Sequence, residues 1–241
     1  PTNLLLGRQN RVRVEAEVIR DLNLSVSGLL SEKLGGPSVF PPLPPGVAEL
    51  SYANNFKWKT SEGKDRYRRG MYTFFKRTSP HPTLISFDCP DSNTTSLERT
   101  SSNTPLQALT TLNNVVFTES AQAMARRVLQ HEGHDASRLN YALRLCTIRQ
   151  PSEIQTARYT ELLAACREWY ADHAEEAKLL VQRHPAEDVA VEENAAWVAT
   201  VRMILNLDDF IVRDLATLCT PSKNSSFAHA GSSSPQVPVA L

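Results

Sequence analysis

The sequence predicts a mainly α-helical domain, a helix bundle that carries an irregular, proline-rich and extended flank. Beyond position 104, apolar residues recur at three- and four-residue spacing, which is the period of amphipathic helices. Residues 35–46 contain five prolines, which fix φ and remove backbone donors, so no helix can run through them. With 241 residues, of which 41% are hydrophobic, the chain is long enough for one buried core. We expect a single domain over residues 1–218.

The first predicted helix covers residues 11–30 and ends near Gly28. Its apolar side consists of Val14, Val18, Leu22 and Val26, with Ile19 and Leu29 beside them. The segment that follows, residues 35–46, is called the Pro-rich segment below. We expect it to lie on its own domain through Val39, Phe40 and Leu43; the alternative is a partner that recognises Pro41 and Pro44 as a PxxP motif.

The middle of the chain predicts mixed local structure. Asp65 can cap a helix whose apolar side holds Tyr67, Met71, Phe74 and Phe75, although Gly70 leaves a strand at 72–75 as an alternative. Pro80 and Pro82 end this element. Residues 83–87 alternate enough to predict a short strand or extended passage, followed by a turn at 88–91.

The remainder predicts four or five helices with short connectors, packed as a bundle. Their start signals are Thr104 before Pro105, Thr118, Asp135, and Ser152 paired with Gln155 in a capping box. Leu106, Leu109 and Leu112 supply the expected buried side of the first of these, and Trp197, Val201, Ile204 and Leu205 that of the last. The helix that starts at Ser152 is expected to reach His184. Residues 219–241 are small and polar, so we expect a disordered tail.

Charge and cysteine usage exclude several functions. Lys and Arg total 26, as do Asp and Glu, so no net field attracts nucleic acid. No apolar run is long enough to span a membrane. The four cysteines are far apart, without CxxC or CxxCH, so neither a covalent haem site nor a zinc knuckle is expected, and no cofactor is assigned to the chain. Because it begins at Pro1 without a leader pattern, we expect a fragment or a processed product.

Two groups of polar residues are candidate sites. The first is a cationic group that can bind sulfate, phosphate or carboxylate through charge-assisted hydrogen bonds. It consists of Arg66, Arg68, Arg69, Lys76 and Arg77. The alternative is that these side chains pair with Asp65 and Glu62 or cover aromatic neighbours.

The second group is His81 with Asp88 and Asp91, whose carboxylates can serve calcium or acid–base chemistry. Aspartates beside proline commonly cap their own backbone instead. A serine hydrolase is rejected because the chain has no G-x-S-x-G motif. His131 and His134 can share a metal only through a loop that contains Gly133, and we expect solvated histidines there.

Several motifs together resemble a known family, the planctomycete secreted domain (domain of unknown function 1553), and specifically its C-terminal portion. They are Glu15-Ala16-Glu17, Ile19-Arg20-Asp21, Gly35-Gly36-Pro37, Arg66 to Arg69, Lys76 to Thr78, Phe87-Asp88, Pro90-Asp91, Asn103 to Leu109 and Asn206 to Phe210. The resemblance implies a domain that extends upstream of Pro1. Members carry a denser arginine run before the Asn-Thr-Pro motif, where this chain has only Arg99. That departure weakens any anion site at this position.

The family has no known reaction, so the resemblance implies context more than chemistry. It implies export to the periplasm or cell surface, other domains of the same polypeptide as partners, and a haem-bearing, cytochrome-c-like domain as a neighbour. The first functional hypothesis is therefore a non-catalytic scaffold or interaction module. The second is an enzyme or binding domain for acidic or sulfated polysaccharides, with Arg66 to Arg69, His81, Asp88 and Asp91 around one pocket.

Overall fold

A computed structural model describes residues 12–44 and 57–213, and it confirms the mainly helical class. Two short strands, β1 Val12–Arg13 and β2 Val212–Arg213, pair antiparallel, with Val12 opposite Arg213. Between them lie nine helices within the described ranges. They are α1 Ala16–Ser27, α2 Pro82–Ser86, α3 Pro105–Asn113, α4 Val115–Leu129, α5 Asp135–Thr147, α6 Glu153–Ala171, α7 Ala174–Leu180, α8 Val191–Leu205 and α9 Asp208–Ile211.

Local capping signals place several helix ends where the sequence predicts them. The Thr104 side chain accepts a hydrogen bond from the Gln107 N–H while Gln107 bonds back, and Ser152 with Gln155 repeats this capping box on α6. Helix α1 ends at Gly28, whose φ of 76° lets its N–H reach the carbonyls of the last turn. These predictions are confirmed.

Helix α8 is the centre of the bundle. It packs most extensively against α6 and α4, and also against α7, α5 and α3. Most of its residues are buried, among them Trp197, Val201 and Ile204, which are fully excluded from solvent. A helix that is buried nearly all round needs neighbours on every side, which is why the remaining helices surround it.

A charged network fixes α5 and α6 to α8. Arg167 donates to both oxygens of Glu193 at 2.6 and 2.7 Å, and to Asp135 Oδ2 at 2.6 Å. Glu193 also accepts from the Trp197 indole at 2.8 Å. Bidentate guanidinium–carboxylate contacts fix orientation as well as distance, so the three helices meet in one register.

A smaller core holds the irregular flank against α1. It consists of Ala16, Ile19, Leu84, Phe87 and Phe117, from α1, α2, the residue after α2, and α4. Beside it the Pro-rich segment, described as far as residue 44, lies on its own domain, as expected. The Val39 N–H donates to the Tyr72 carbonyl and the Phe74 N–H donates to the Val39 carbonyl, each at 2.8 Å. Phe40 packs against Phe74 with ring centroids 4.9 Å apart.

The helix predicted from Asp65 is wrong. Two 3₁₀ turns, Gly63–Tyr67 and Gly70–Tyr72, are separated by extended backbone at Arg68. The reason is tertiary: a Cβ added at Gly70 would lie 2.4 Å from the Glu17 carbonyl oxygen, so the chain approaches α1 where only glycine fits. After the second turn, Thr73 is extended and forms a bridge with Val39, which partly agrees with the strand alternative.

Other local predictions also fail. Residues 83–87, predicted as a strand or extended passage, form most of α2, because His81 caps this helix and Pro82 occupies its first turn. On α3 the predicted buried leucines are wrong: Leu106 and Leu109 are 64% and 54% exposed, whereas Gln107 is 2% exposed. On α1, Val18 of the predicted stripe is exposed and Ala16 and Leu24 are buried instead.

Three helix bounds also differ from the predictions. Helix α1, predicted from residue 11, begins at Ala16, and residues 12–13 form β1 instead. The helix from Ser152 ends at Ala171, and a separate α7 follows after His173. Helix α4 begins at Val115, earlier than predicted, because the Asn114 side chain accepts the Val116 N–H at 3.0 Å. Cys146 is buried, as expected, and burial raises its pKa to about 12.

Three predictions concern residues other than 12–44 and 57–213. The opening residues 1–11, the end of the Pro-rich segment at 45–46, and the predicted tail at 219–241 lie outside the described residues. Within residues 12–44 and 57–213, no helix combines the length and the apolar character that crossing a membrane requires.

The close contact at Gly70 gives a test of this fold. Gly70→Ala should lower the free energy of unfolding by about 3 kcal/mol, because the new methyl meets the α1 backbone, which cannot move aside. Gly28→Ala is the control: its Cβ meets nothing within 4 Å, so only the left-handed φ costs, at about 1 kcal/mol. Urea unfolding of both variants measures the difference. Equal losses would contradict the proposed contact.

Candidate functional site

Arg66 is buried in an ion pair with Glu119 of α4. Its Nε donates to Glu119 Oε2 at 2.9 Å and its Nη2 donates to Oε1 at 2.5 Å. The two side chains are only 8% and 3% exposed. The carboxylate holds the pKa of the Arg66 guanidinium above its usual value, against the opposing effect of burial. Arg66 is thus bound bidentately by a partner within the chain.

Arg68 binds the Pro-rich segment and the residues just before it. Its guanidinium donates to the carbonyls of Lys33, Gly35 and Pro37, at 2.5–3.3 Å. It also lies 3.8 Å from the Tyr72 ring centroid, in cation–π geometry. The residue is fully buried. Three carbonyl oxygens and an aromatic face therefore surround this charge.

The other three cations of the predicted anion site lie elsewhere on the surface. The Arg69 Nε donates to Asp21 Oδ2 at 3.0 Å, in a half-exposed pair with α1. Lys76 is half-buried and has a partner in the structure, and Arg77 is exposed. Arg66, Arg68 and Arg69 thus have different partners: Glu119 of α4, carbonyls of the Pro-rich segment, and Asp21 of α1.

His81 is a buried cap that remains neutral at ordinary pH. Its Nδ1 accepts the Thr83 N–H at 3.3 Å, so the proton is on Nε2, which donates to the Pro42 carbonyl at 3.3 Å. Burial lowers its pKa to about 4. The ring lines a nearly filled cavity together with Arg20, Thr73 and Asn114. His81 connects the start of α2 to the Pro-rich segment.

Asp88 organises the loop that leads into α3. Its backbone is left-handed, with a φ of 60°, and its carboxylate accepts from Arg13 Nη2 at 2.7 Å and from the Ser102 N–H at 2.8 Å. The Ser102 hydroxyl and the Gln107 amide also donate to it. Burial alone would raise the pKa of Asp88, but these hydrogen bonds and the Arg13 charge outweigh it and lower the pKa.

Asp91 behaves as the alternative interpretation describes. Its carboxylate accepts the Asn93 N–H at 3.2 Å and the Asn93 side-chain amide at 3.4 Å, which is an Asx turn on the surface. Asp88 and Asp91 have no common partner among these hydrogen bonds. In the part of the chain that the structure describes, no three His, Cys, Asp or Glu side chains are grouped closely enough to hold a metal ion.

A cleft that the sequence analysis did not anticipate lies beside the Arg66–Glu119 pair. Its volume is about 770 Å³, and it is bounded by the residues that follow α1, by the first 3₁₀ turn, and by Arg183 after α7. The Arg183 Nε lies 3.1 Å from Glu119 Oε1, and the Tyr67 hydroxyl lies 3.0 Å from His184 Nε2. Positions 119, 183 and 184 are far from 66 in sequence, so no local pattern indicates that they meet.

With this geometry in place, comparison with known proteins identifies the family. The family model PSD1, described as "Protein of unknown function (DUF1553)", matches residues 1–163, about two thirds of the chain. The chain belongs to this family. No curated protein and no solved structure matches it.

The family match gives the motif residues a structural setting. It includes the arginine block from Arg66, the Asp88 loop and the Asn103 to Leu109 motif, whereas residues 206–210, which also resemble the family, lie beyond it. Within the match, Arg66 and Arg68 hold the flank, and Asp88 and Gln107 hold the loop before α3. Each has partners in its own chain.

Truncating Arg66 tests the buried pair. Arg66→Met should destabilise the protein by about 3–5 kcal/mol, because Glu119 then stays buried with only the exposed Arg183 as counter-charge. Adding Glu119→Leu should recover much of that loss. Arg69→Met is the control, since its half-exposed pair with Asp21 contributes about 1 kcal/mol or less. Denaturant unfolding is measured for the natural protein, Arg66→Met, Glu119→Leu, the double variant and Arg69→Met; strict additivity of the two core substitutions would contradict the coupling.

The pKa of His81 gives a pH test. Between pH 6.5 and about 4 the unfolded chain binds a proton on this ring that the folded protein does not, so folding is disfavoured as the pH falls. In His81→Asn, asparagine can still cap α2 but does not titrate. The stability of the natural protein relative to this variant should therefore decrease by about 3 kcal/mol from pH 7 to pH 4. Parallel stability curves would contradict a buried, neutral His81.

Proposed function

We propose that this chain is a non-catalytic scaffold or interaction module within an exported, multidomain protein that also carries a cytochrome-c-like domain. One observation supports it above the others. The polar side chains of the family's motifs, notably Arg66, Arg68 and Asp88, use their hydrogen-bonding groups on partners in the same chain. A substrate would have to displace those partners, and the displaced groups would then be buried without compensation.

The state of the ionisable groups supports the same proposal. A general acid or base works best with a pKa near the operating pH, whereas His81 has a pKa of about 4 and is enclosed. Asp88 has a lowered pKa and is held by Arg13 and Ser102, so it is a stable carboxylate. Both therefore act through the backbone that they cap.

The alternative, an enzyme or binding domain for acidic or sulfated polysaccharides, depends on convergence of these groups. Arg66 bonds to α4, Arg68 to the Pro-rich segment and Asp88 to the loop before α3. His81 bonds to the Pro42 carbonyl inside the fold. These separate partners do not favour a common pocket, so the scaffold proposal is preferred. Association with other domains of the polypeptide, and export, follow from family resemblance and are part of the proposal.

Substitution of Asp88 in the intact gene product tests the proposal. Asp88→Asn keeps a side chain that tolerates φ of 60° but removes the charge that Arg13 binds. We expect the free energy of unfolding to fall by roughly 1–3 kcal/mol at pH 7, with no separate catalytic defect. The difference should shrink at low pH, where the natural aspartate is protonated and therefore uncharged like asparagine. Thermal unfolding at several pH values measures this.

The decisive comparison sets turnover against stability. The intact product is assayed with polysaccharides and with redox substrates, alongside cross-linking between this region and the other domains. The proposal expects cross-links to neighbouring domains and no turnover that depends on Asp88. If Asp88→Asn abolished a measured activity at a temperature where the variant is still folded, the chain would be an enzyme.

A further inference from the structure

The cleft beside the Arg66–Glu119 pair is cationic although the whole chain is neutral. Its lining includes Lys33, Lys64, Arg66 and Arg183, with Glu32 as the acidic member. Two further carboxylates lie in ion pairs with these cations: Asp65 bonds Lys33 at 3.3 Å, and Glu119 bonds both arginines. Four cations against three carboxylates leave a net charge of +1 around one concave surface. The surface of the cleft is therefore suited to an anion.

Two cations of the cleft lining, Arg66 and Arg183, already bind a carboxylate of the chain itself. Glu119 Oε1 lies 2.5 Å from Arg66 Nη2 and 3.1 Å from Arg183 Nε, so one buried carboxylate faces two guanidiniums. Two guanidiniums thus share one negative charge, so this end of the cleft keeps an excess positive charge. The Arg183 side chain is 56% exposed, so its guanidinium is accessible from the cleft.

Lys64 supplies a second accessible charge. It is exposed, and it forms no ion pair with any residue of the described ranges 12–44 and 57–213. Gly63, with a φ of 56°, precedes it at the start of the 3₁₀ turn. Lys64 and Arg183 therefore belong to elements far apart in sequence but line the same cleft.

Tyr67 and His184 add neutral hydrogen-bonding groups at the same place. Tyr67 lines the cleft, and its hydroxyl lies 3.0 Å from His184 Nε2. Burial lowers the pKa of His184, so the ring is neutral and its Nε2 can accept a hydrogen bond from the Tyr67 hydroxyl. The half-buried Tyr67 ring gives the cleft a flat apolar surface next to the two cations.

We propose that this cleft binds an oxyanion group, a carboxylate or a sulfate, held jointly by Arg183 and Lys64 beside the Tyr67 ring. A carboxylate is planar and a sulfate is tetrahedral, and guanidinium and ammonium groups bind the oxygens of both through charge-assisted hydrogen bonds. This site differs from the anion site predicted from the sequence. Of the five cations of that predicted site, only Arg66 lines the cleft, and its role here is to hold Glu119 in place. It does not depend on the scaffold proposal.

Titration with two small probes tests the site. Glucuronate carries the carboxylate and inorganic sulfate carries the sulfate, and sodium chloride at equal ionic strength controls for screening. Amide NMR of the full chain should show saturable shifts at Lys33, Gly63 and Lys64 with at least one probe. Saturation with glucuronate assigns the site to carboxylates, and saturation with sulfate alone assigns it to sulfate-type anions. Glucose is the uncharged control.

Substitutions then locate the binding. Lys64→Gln and Arg183→Gln should each weaken binding roughly tenfold, because each removes one charge-assisted contact of about 1.5 kcal/mol. Both side chains are exposed, but Arg183 also pairs with Glu119, so a thermal melt of each variant verifies that it is folded under the titration conditions. Arg158→Gln, an exposed position on α6, is the matched control and should bind normally.

Two results would overturn the proposal. The first is that neither probe produces saturable shifts beyond those of chloride. The second is that binding survives in the Lys64→Gln/Arg183→Gln double variant, or is lost equally in Arg158→Gln. A functional assay of the scaffold is not needed for either result, so the two proposals can fail separately.

Discussion

The irregular flank depends on arginines that donate hydrogen bonds to backbone carbonyls. Outside helices and sheets a buried carbonyl has no regular partner, and leaving it unpaired is costly. Arg20 donates to the carbonyls of residues 66 and 68, Arg68 to those of residues 33, 35 and 37, and Arg13 to that of Phe87. A guanidinium has five donors in a rigid plane, so one side chain can satisfy several turns of irregular chain. The proline residues make this necessary, because they exclude helix formation at 37–44.

Burying these charges costs desolvation free energy, which different partners offset for each arginine. Arg20 is deeply buried, and burial lowers its pKa to about 10, so it still remains charged. Glu119 supplies the nearby negative charge through its bidentate contact with Arg66. Arg68 has the Tyr72 ring at 3.8 Å and three carbonyl dipoles. The bundle contributes Glu119 from α4 and the flank contributes Arg66, so each part supplies the counter-charge of the other. Neither could lose its partner without leaving a buried charge.

Local chemistry explains which parts of the fold could be predicted. Capping boxes at Thr104 and Ser152 involve residues three apart, so the sequence alone is sufficient to place those helix starts. Several of the failures have distant causes. Gly70 is required because α1 passes close to it, and Gln107 is buried because Asp88 and Ser102 need its amide. The sequence indicates the polar residues of the candidate site, but Glu119, the partner of Arg66, lies more than fifty positions away. The local sequence around Arg66 therefore does not predict that it pairs with Glu119.

This arrangement also separates what the family motifs do from where a ligand can reach. Arg66, Arg68 and Asp88 are attached to their own chain, so motif residues in this protein indicate how the flank is held. Two exposed cations of the cleft are Lys64, which lies within the family match but outside these motifs, and Arg183, which lies beyond residue 163. Arg183 nevertheless approaches Glu119, whose position Arg66 fixes. The buried pair therefore acts as the rigid support that places an exposed guanidinium over the cleft, and any binding there requires the flank to be folded first.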